Sequence, residues 1–149
     1  MSNTHHILVV DDSDEIIAYF TEILEEYGYQ YSVARDGKTA IESMRENRPD
    51  LVLLDVMMPR KSGIAVYNKM KQDPELEGVP IVIITGASKA TGVEMTTGAE
   101  NPKQTYEDDM MREFGMQLRE QLQNLAPQGF LEKPVEPEQL ISKIRSLLN

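Results

Sequence analysis

The stretch "PDLVLLDVMMPRKSG", residues 49–63, contains the most apolar strand-length run of the chain, "LVLLDV" (51–56), with a lone carboxylate, Asp55, near its end and Pro59 and Gly63 close behind. A strand that is apolar at consecutive rather than alternate positions must be covered on both faces, as a central strand of a parallel sheet flanked by helices is. A charge at the end of such a run is expensive unless something pairs with it. The rest of the chain must therefore supply both the neighbouring strands and the partners of Asp55.

The neighbours lie on either side in sequence. "HILVV" (6–10) reads as a first strand, and Ile16, Ile17, Phe20, Ile23, Leu24 and Tyr27 form a helical stripe that stops at Gly28. "YQYSVA" (29–34) is a weaker strand, and "GKTAIESMREN" (37–47) a helix closed by Pro49. After the apolar run, a helix is predicted over about residues 63–71, and "PIVIIT" (80–85) is a buried strand rich in β-branched residues. Residues 87–104, "ASKATGVEMTTGAENPKQ", keep no period and read as a long loop. Thr105 and Asp108 then look like a capping box for a long helix carrying Tyr106, Met110, Phe114, Leu118, Leu122 and Leu125 to about residue 126. "GFLE" (129–132) is a short last strand and residues 136–149 a closing helix. Strands alternate with helices five times, which predicts an α/β domain with a parallel sheet and crossover helices, residues 1–149 forming one unit without a second domain.

The 149 residues are 40% hydrophobic and 27% charged, the composition of a folded globular chain. The formal net charge of −10 argues against direct binding to nucleic acid, which needs clustered Lys and Arg. The chain has no cysteine, which excludes a disulfide framework and agrees with a cytoplasmic setting. The start, "MSNTHHILVV", lacks the pattern of a signal peptide, and no apolar run reaches the roughly 18 residues of a membrane span. His5 and His6 read as an exposed terminus rather than a metal or phosphohistidine site.

In an open parallel sheet, ligands bind outside the carboxyl ends of the strands. There the sequence places Asp11 and Asp12 after the first strand, Asp55 at the third, Thr85 at the fourth, and Lys133 and Pro134 after the fifth. Singly each has a plain alternative: Asp12 or Ser13 as a helix cap, Thr85 as a strand end, Lys133 as a surface charge. Together they form a coherent set. Carboxylate oxygens suit Mg²⁺, which keeps room for a phosphoryl oxygen, while an ammonium and a hydroxyl can hold the other phosphoryl oxygens.

The four segments "ILVVDDS", "DLVLLDVMMPRKSG", "IVIITG" and "GFLEKPV", in that order and separated by helices, resemble the receiver domain of two-component response regulators of the single-domain, chemotaxis-regulator type. The resemblance implies a doubly wound, flavodoxin-like sheet of strand order 2-1-3-4-5, and Asp55 as phosphoacceptor from a phosphohistidine on a sensor histidine kinase or histidine phosphotransfer protein. It implies Mg²⁺ held by Asp11, Asp12, Asp55 and the backbone carbonyl of Met57, and a phosphoryl group bound by Lys133 and approached by Thr85. Pro134 would follow a cis peptide that aims Lys133, and Pro59 and Gly63 would shape the loop beside the site. Phosphorylation would alter the face formed by the fourth and fifth strands and the last two helices, for a downstream protein target that the sequence does not identify. The chain would be a monomer or weak homodimer, with no membrane attachment, and would promote its own phosphotransfer without being an enzyme in the usual sense.

The chain also departs from the family. Phe130 holds the aromatic switch position without a tyrosine's hydroxyl, and simple core packing is its plainer role. Met57 and Ala87 stand where side chains would orient a hydrolytic water, which predicts slow self-dephosphorylation. Residues 86–132 separate Thr85 from Lys133, longer than a compact receiver uses; they read equally as a recognition element or as a tolerated insertion. Two other readings compete: a haloacid-dehalogenase-type phosphatase with Asp12 as nucleophile, and an adaptor that kept the fold but is not phosphorylated. Glu15 after Asp14, the missing final acidic motif and the unexplained "DVMMP" count against the former, and the intact acid, hydroxyl and lysine set against the latter.

Overall fold

The structure, a computed structural model, describes residues 5–55, 63–85, 120 and 129–148. The described elements are β1 (His6–Val10), α1 (Asp14–Glu26), β2 (Gln30–Ala34), α2 (Gly37–Glu46), β3 (Leu51–Asp55), α3 (Gly63–Gln72), β4 (Ile81–Thr85), β5 (Gly129–Glu132) and α4 (Pro137–Leu148). The five strands form one sheet in the order β2-β1-β3-β4-β5, every pair parallel. This is the doubly wound arrangement that the family resemblance implies, with β3 in the centre.

The pleat of the sheet explains why the inner strands are apolar throughout. Leu8, Val10, Val52, Leu54, Ile81 and Ile83 face one core, which α2 and α3 close with Ala40, Ile41, Met44, Val66 and Met70. Their strand neighbours Ile7, Val9, Leu51, Leu53, Val82 and Ile84 face the other, closed by Ile17, Phe20, Ile23 and Leu24 of α1 and by Leu140, Ile141 and Ile144 of α4. Each inner strand thus supplies side chains to both cores, and every residue of β3 is buried.

Local chemistry sets the helix ends. Ser13 caps α1, its hydroxyl accepting from the Ile16 N–H at 3.3 Å, which settles the choice between Asp12 and Ser13. At the other end Gly28 takes φ 81°, the Gly28 N–H donates to the Glu25 carbonyl and the Tyr29 N–H to the Leu24 carbonyl. That pair of bonds is a Schellman motif, and the positive φ is why a glycine stands there. Pro137 opens α4, and the Gln139 side chain accepts from the Glu136 N–H at 3.0 Å.

The terminal reading of His6 needs correction. His6 lies inside β1, half-buried, with the ring Nε2 2.6 Å from the Ser32 hydroxyl and the backbone N–H donating to Asp50 Oδ2 at 2.7 Å. Pairing of His6 with Gln30 in the sheet brings Ser32 and Asp50 to it from two other segments of the chain. The loop expected over 87–104 lies outside the described residues, as does the helix expected over 105–126 apart from Glu120, which is helical and exposed. Among the described residues no helix is long and apolar enough to cross a membrane.

Candidate functional site

Sheet register alone brings the acids together. Val10 pairs with Leu54, so Asp11 and Asp55, each the next residue, come side by side at the carboxyl ends of β1 and β3. Asp55 in turn pairs with Ile84, and Thr85 with Glu132, so Thr85 ends β4 one step further on and Lys133 follows directly from β5. Strands up to three places apart in the sheet thus deliver residues that are far apart in sequence.

Asp11 and Asp55 are 2% and 4% exposed and are the only buried charged residues among those described. Asp12 is exposed. One carboxylate oxygen from each of Asp11, Asp12 and Asp55 lies within 4.8 Å of the others. That spacing and an all-oxygen donor set fit a hard divalent cation. Lys133 faces the same point: Nζ donates to Asp11 Oδ2 at 3.1 Å and stands 3.6 Å from Asp55 Oδ2. The second Asp11 oxygen accepts from the Ser13 N–H at 2.9 Å, so the start of α1 orients this carboxylate.

The Lys133–Pro134 peptide is cis. Gly63 is buried at the start of α3. Phe130, on β5, is partly buried against the core that α2 and α3 close, the position of a packing residue. Thr85 is described by its backbone, at the end of β4. Met57, Pro59 and Ala87 lie outside the described residues.

Two contacts had no counterpart in the sequence reading. One is the Ser13 N–H on Asp11. The other is Tyr19 on α1, whose hydroxyl donates to the Val135 carbonyl at 2.7 Å, two residues beyond Lys133. The available signal was an aromatic residue standing off the apolar stripe of its helix.

Comparison with known proteins agrees with this arrangement. Residues 7–101 match the family model described as the response regulator receiver domain. A probable cyclic di-GMP phosphodiesterase of Vibrio cholerae serotype O1 is 44% identical over 82 residues, covering 55% of this chain and 18% of that protein. The DNA-binding response regulator MtrA of Mycolicibacterium smegmatis is 32% identical over 142 residues, covering 95% of this chain and 50% of that protein. The chain therefore spans half or less of the length of these two relatives. Among solved structures, the chemotaxis protein CheY4 of Vibrio cholerae superposes with a TM-score of 0.73 at 22% identity, over 98% of this chain and 100% of that one. The signal receiver domain of a signal transduction histidine kinase from Syntrophus aciditrophicus gives 0.71 at 26% identity, over 97% and 90%. With the sheet order, the acidic carboxyl-terminal edge and a family match over most of its length, this chain belongs to the response regulator receiver domains.

Proposed function

We propose that the chain is a phosphorylation-controlled module of a two-component or phosphorelay system, in which Asp55 accepts a phosphoryl group from a phosphohistidine on a sensor histidine kinase or histidine phosphotransfer protein. The observation that carries this reading is a buried Asp55 beside a buried Asp11, with the Lys133 ammonium 3.1 Å from one and 3.6 Å from the other. In the transfer, an Asp55 oxygen forms the new O–P bond as the P–N bond to the donor imidazole breaks, its electron pair returning to the ring nitrogen.

A carboxylate attacking a phosphoryl group brings negative charges together, so the surroundings must neutralise them and hold the atoms in line. Asp11, Asp12, Asp55 and the Met57 carbonyl are the groups that would hold Mg²⁺, which when bound supplies positive charge at the phosphoryl oxygens. Lys133 exchanges its contact with Asp11 for a phosphoryl oxygen, a charge-assisted bond. Thr85 donates its hydroxyl to another, while Pro134 aims Lys133, and Pro59 and Gly63 shape the adjoining loop. Movement of Thr85 and repacking of Phe130 carry the change to the face of β4, β5 and their helices, where a protein target docks. Family membership leaves the phosphatase reading with Asp12 as nucleophile without support.

The test is incubation with Mg²⁺ and acetyl phosphate or beryllofluoride, read by intact mass. Wild type takes up one adduct and Asp55→Asn none. Uptake that persists in Asp55→Asn and vanishes in Asp12→Asn overturns the proposal.

A further inference from the structure

We infer that Tyr19 is a positioning residue for Lys133: its hydroxyl ties α1 to the loop that carries the lysine and so governs how readily the ammonium meets the phosphoryl group. The inference rests on the reading of Asp55 as phosphoacceptor and Lys133 as the group that binds the phosphoryl oxygens.

Four observations lead to it. The Tyr19 hydroxyl donates to the Val135 carbonyl at 2.7 Å across 116 residues of sequence, joining the helix that begins beside the acids to the loop after β5. Val135 is also fixed through its side chain, which is 4% exposed and packs in the core with Ile17 and Phe20. Only Pro134 separates this doubly held residue from Lys133, and a proline ring leaves little freedom in φ to absorb movement. The lever from Tyr19 to the lysine is therefore short and stiff.

Second, Tyr19 is poorly explained as a core residue. The residue is 37% exposed and stands off the apolar stripe of α1, its ring meeting Phe20 in a tilted arrangement with centroids 5.7 Å apart. Third, the hydroxyl is kept as a donor: burial first, and then the nearby carboxylates of Glu136 and Glu138, hold its pKa above the ordinary tyrosine value. Fourth, the loop has somewhere to go when released. An open cavity of about 380 Å³ lies between α1 and the loop, with Glu15, Tyr19 and Phe20 among its lining on one side and Lys133, Pro134 and Val135 on the other. Without the hydroxyl, the segment from Lys133 to Val135 can relax into that space and carry the ammonium away from Asp11 and Asp55.

The experiment compares wild type, Tyr19→Phe, Lys133→Met and the double variant in Mg²⁺ with acetyl phosphate, slow variants being followed for longer times, with Asp55→Asn as control. Tyr19→Phe lowers the rate of Asp55 phosphorylation about three- to tenfold, the scale of one net hydrogen bond. It weakens Mg²⁺ binding in no case and tightens it by less than the tenfold expected of Lys133→Met, because the carboxylates are untouched and the ammonium is displaced rather than removed. In the Lys133→Met background the same substitution has no further effect, since the group it positions is gone. An unchanged rate in Tyr19→Phe overturns the inference, and so does an equal loss that persists in the Lys133→Met background. Failure of the underlying reading shows separately, as no adduct on wild type or an adduct retained by Asp55→Asn.

Discussion

Replacing Lys133 by methionine removes the ammonium while keeping most of the side chain's bulk, so the variant reports on charge. In the wild type Nζ lies 3.1 Å from Asp11 Oδ2 and 3.6 Å from Asp55 Oδ2. At an effective dielectric constant of about 20, unit charges about 4 Å apart interact by about 4 kcal/mol. The two attractions and the carboxylate repulsion are each of that gross size, and desolvation of the ions offsets much of the sum. Removing one member of a buried ionic pair costs about 3–5 kcal/mol, because the remaining charge is left buried. The Lys133 side chain keeps 22% exposure and water can reach the vacated position, which lowers the expected loss to about 2–3 kcal/mol. Mg²⁺ takes over the missing positive charge, so the deficit appears in chelator and shrinks to about 1 kcal/mol or less in saturating Mg²⁺. By linkage, the variant then binds Mg²⁺ about tenfold more tightly than wild type, since about 1.4 kcal/mol corresponds to a factor of ten. Urea unfolding followed by circular dichroism, in chelator and in Mg²⁺, together with a Mg²⁺ titration, measures both quantities. Equal deficits in the two conditions, or no deficit in chelator, would show that the ammonium does not balance these acids.

Three further outcomes are expected. Ser13→Ala removes the hydroxyl that caps α1 and lowers stability by about 1 kcal/mol in urea unfolding; a change too small to measure refutes the cap. Burial holds the Tyr67 phenol above its ordinary pKa, so the folded state binds that proton more tightly than the unfolded chain. Its contribution is full below the unfolded tyrosine's pKa and is lost as pH rises from about 10 through the folded value. Tyr67→Phe therefore loses less stability than wild type across this alkaline window, and matching alkaline slopes would contradict the assignment. The resemblance implies that Met57 and Ala87 leave the hydrolytic water unoriented, so phospho-Asp55 in purified protein with Mg²⁺ is expected to outlast a time course of minutes; decay within seconds rules this out.

The parts of the fold legible in the sequence are those with a local cause. The apolar runs of β1, β3 and β4 announce strands covered on both faces, the stripe of α1 announces its buried side, and Gly28 marks the turn that ends it. Asp11, Asp55 and Lys133 were legible because a parallel sheet sends its strand ends to one edge, and register then sets the acids side by side. The bond from Tyr19 to Val135 and the contacts of His6 with Ser32 and Asp50 were not legible. Each joins residues whose nearness is created only by the completed topology, and no periodicity or turn residue foreshadows a hydrogen bond of that kind. The same holds for Ser13, whose hydroxyl could be read as a cap but whose N–H on Asp11 depends on how the chain turns between β1 and α1.

Asp11, Asp55 and Lys133 hang from β1, β3 and β5, and β4 stands between the last two in the sheet. No hairpin, half-domain or early folding intermediate holds all three, because the lysine reaches the acids only after the last strand has docked. On the proposed reading of Asp55, full competence to receive the phosphoryl group is thus a certificate of completed folding. A nascent or damaged chain with β5 out of place would receive the group more slowly, so the message would be written fastest on a finished molecule.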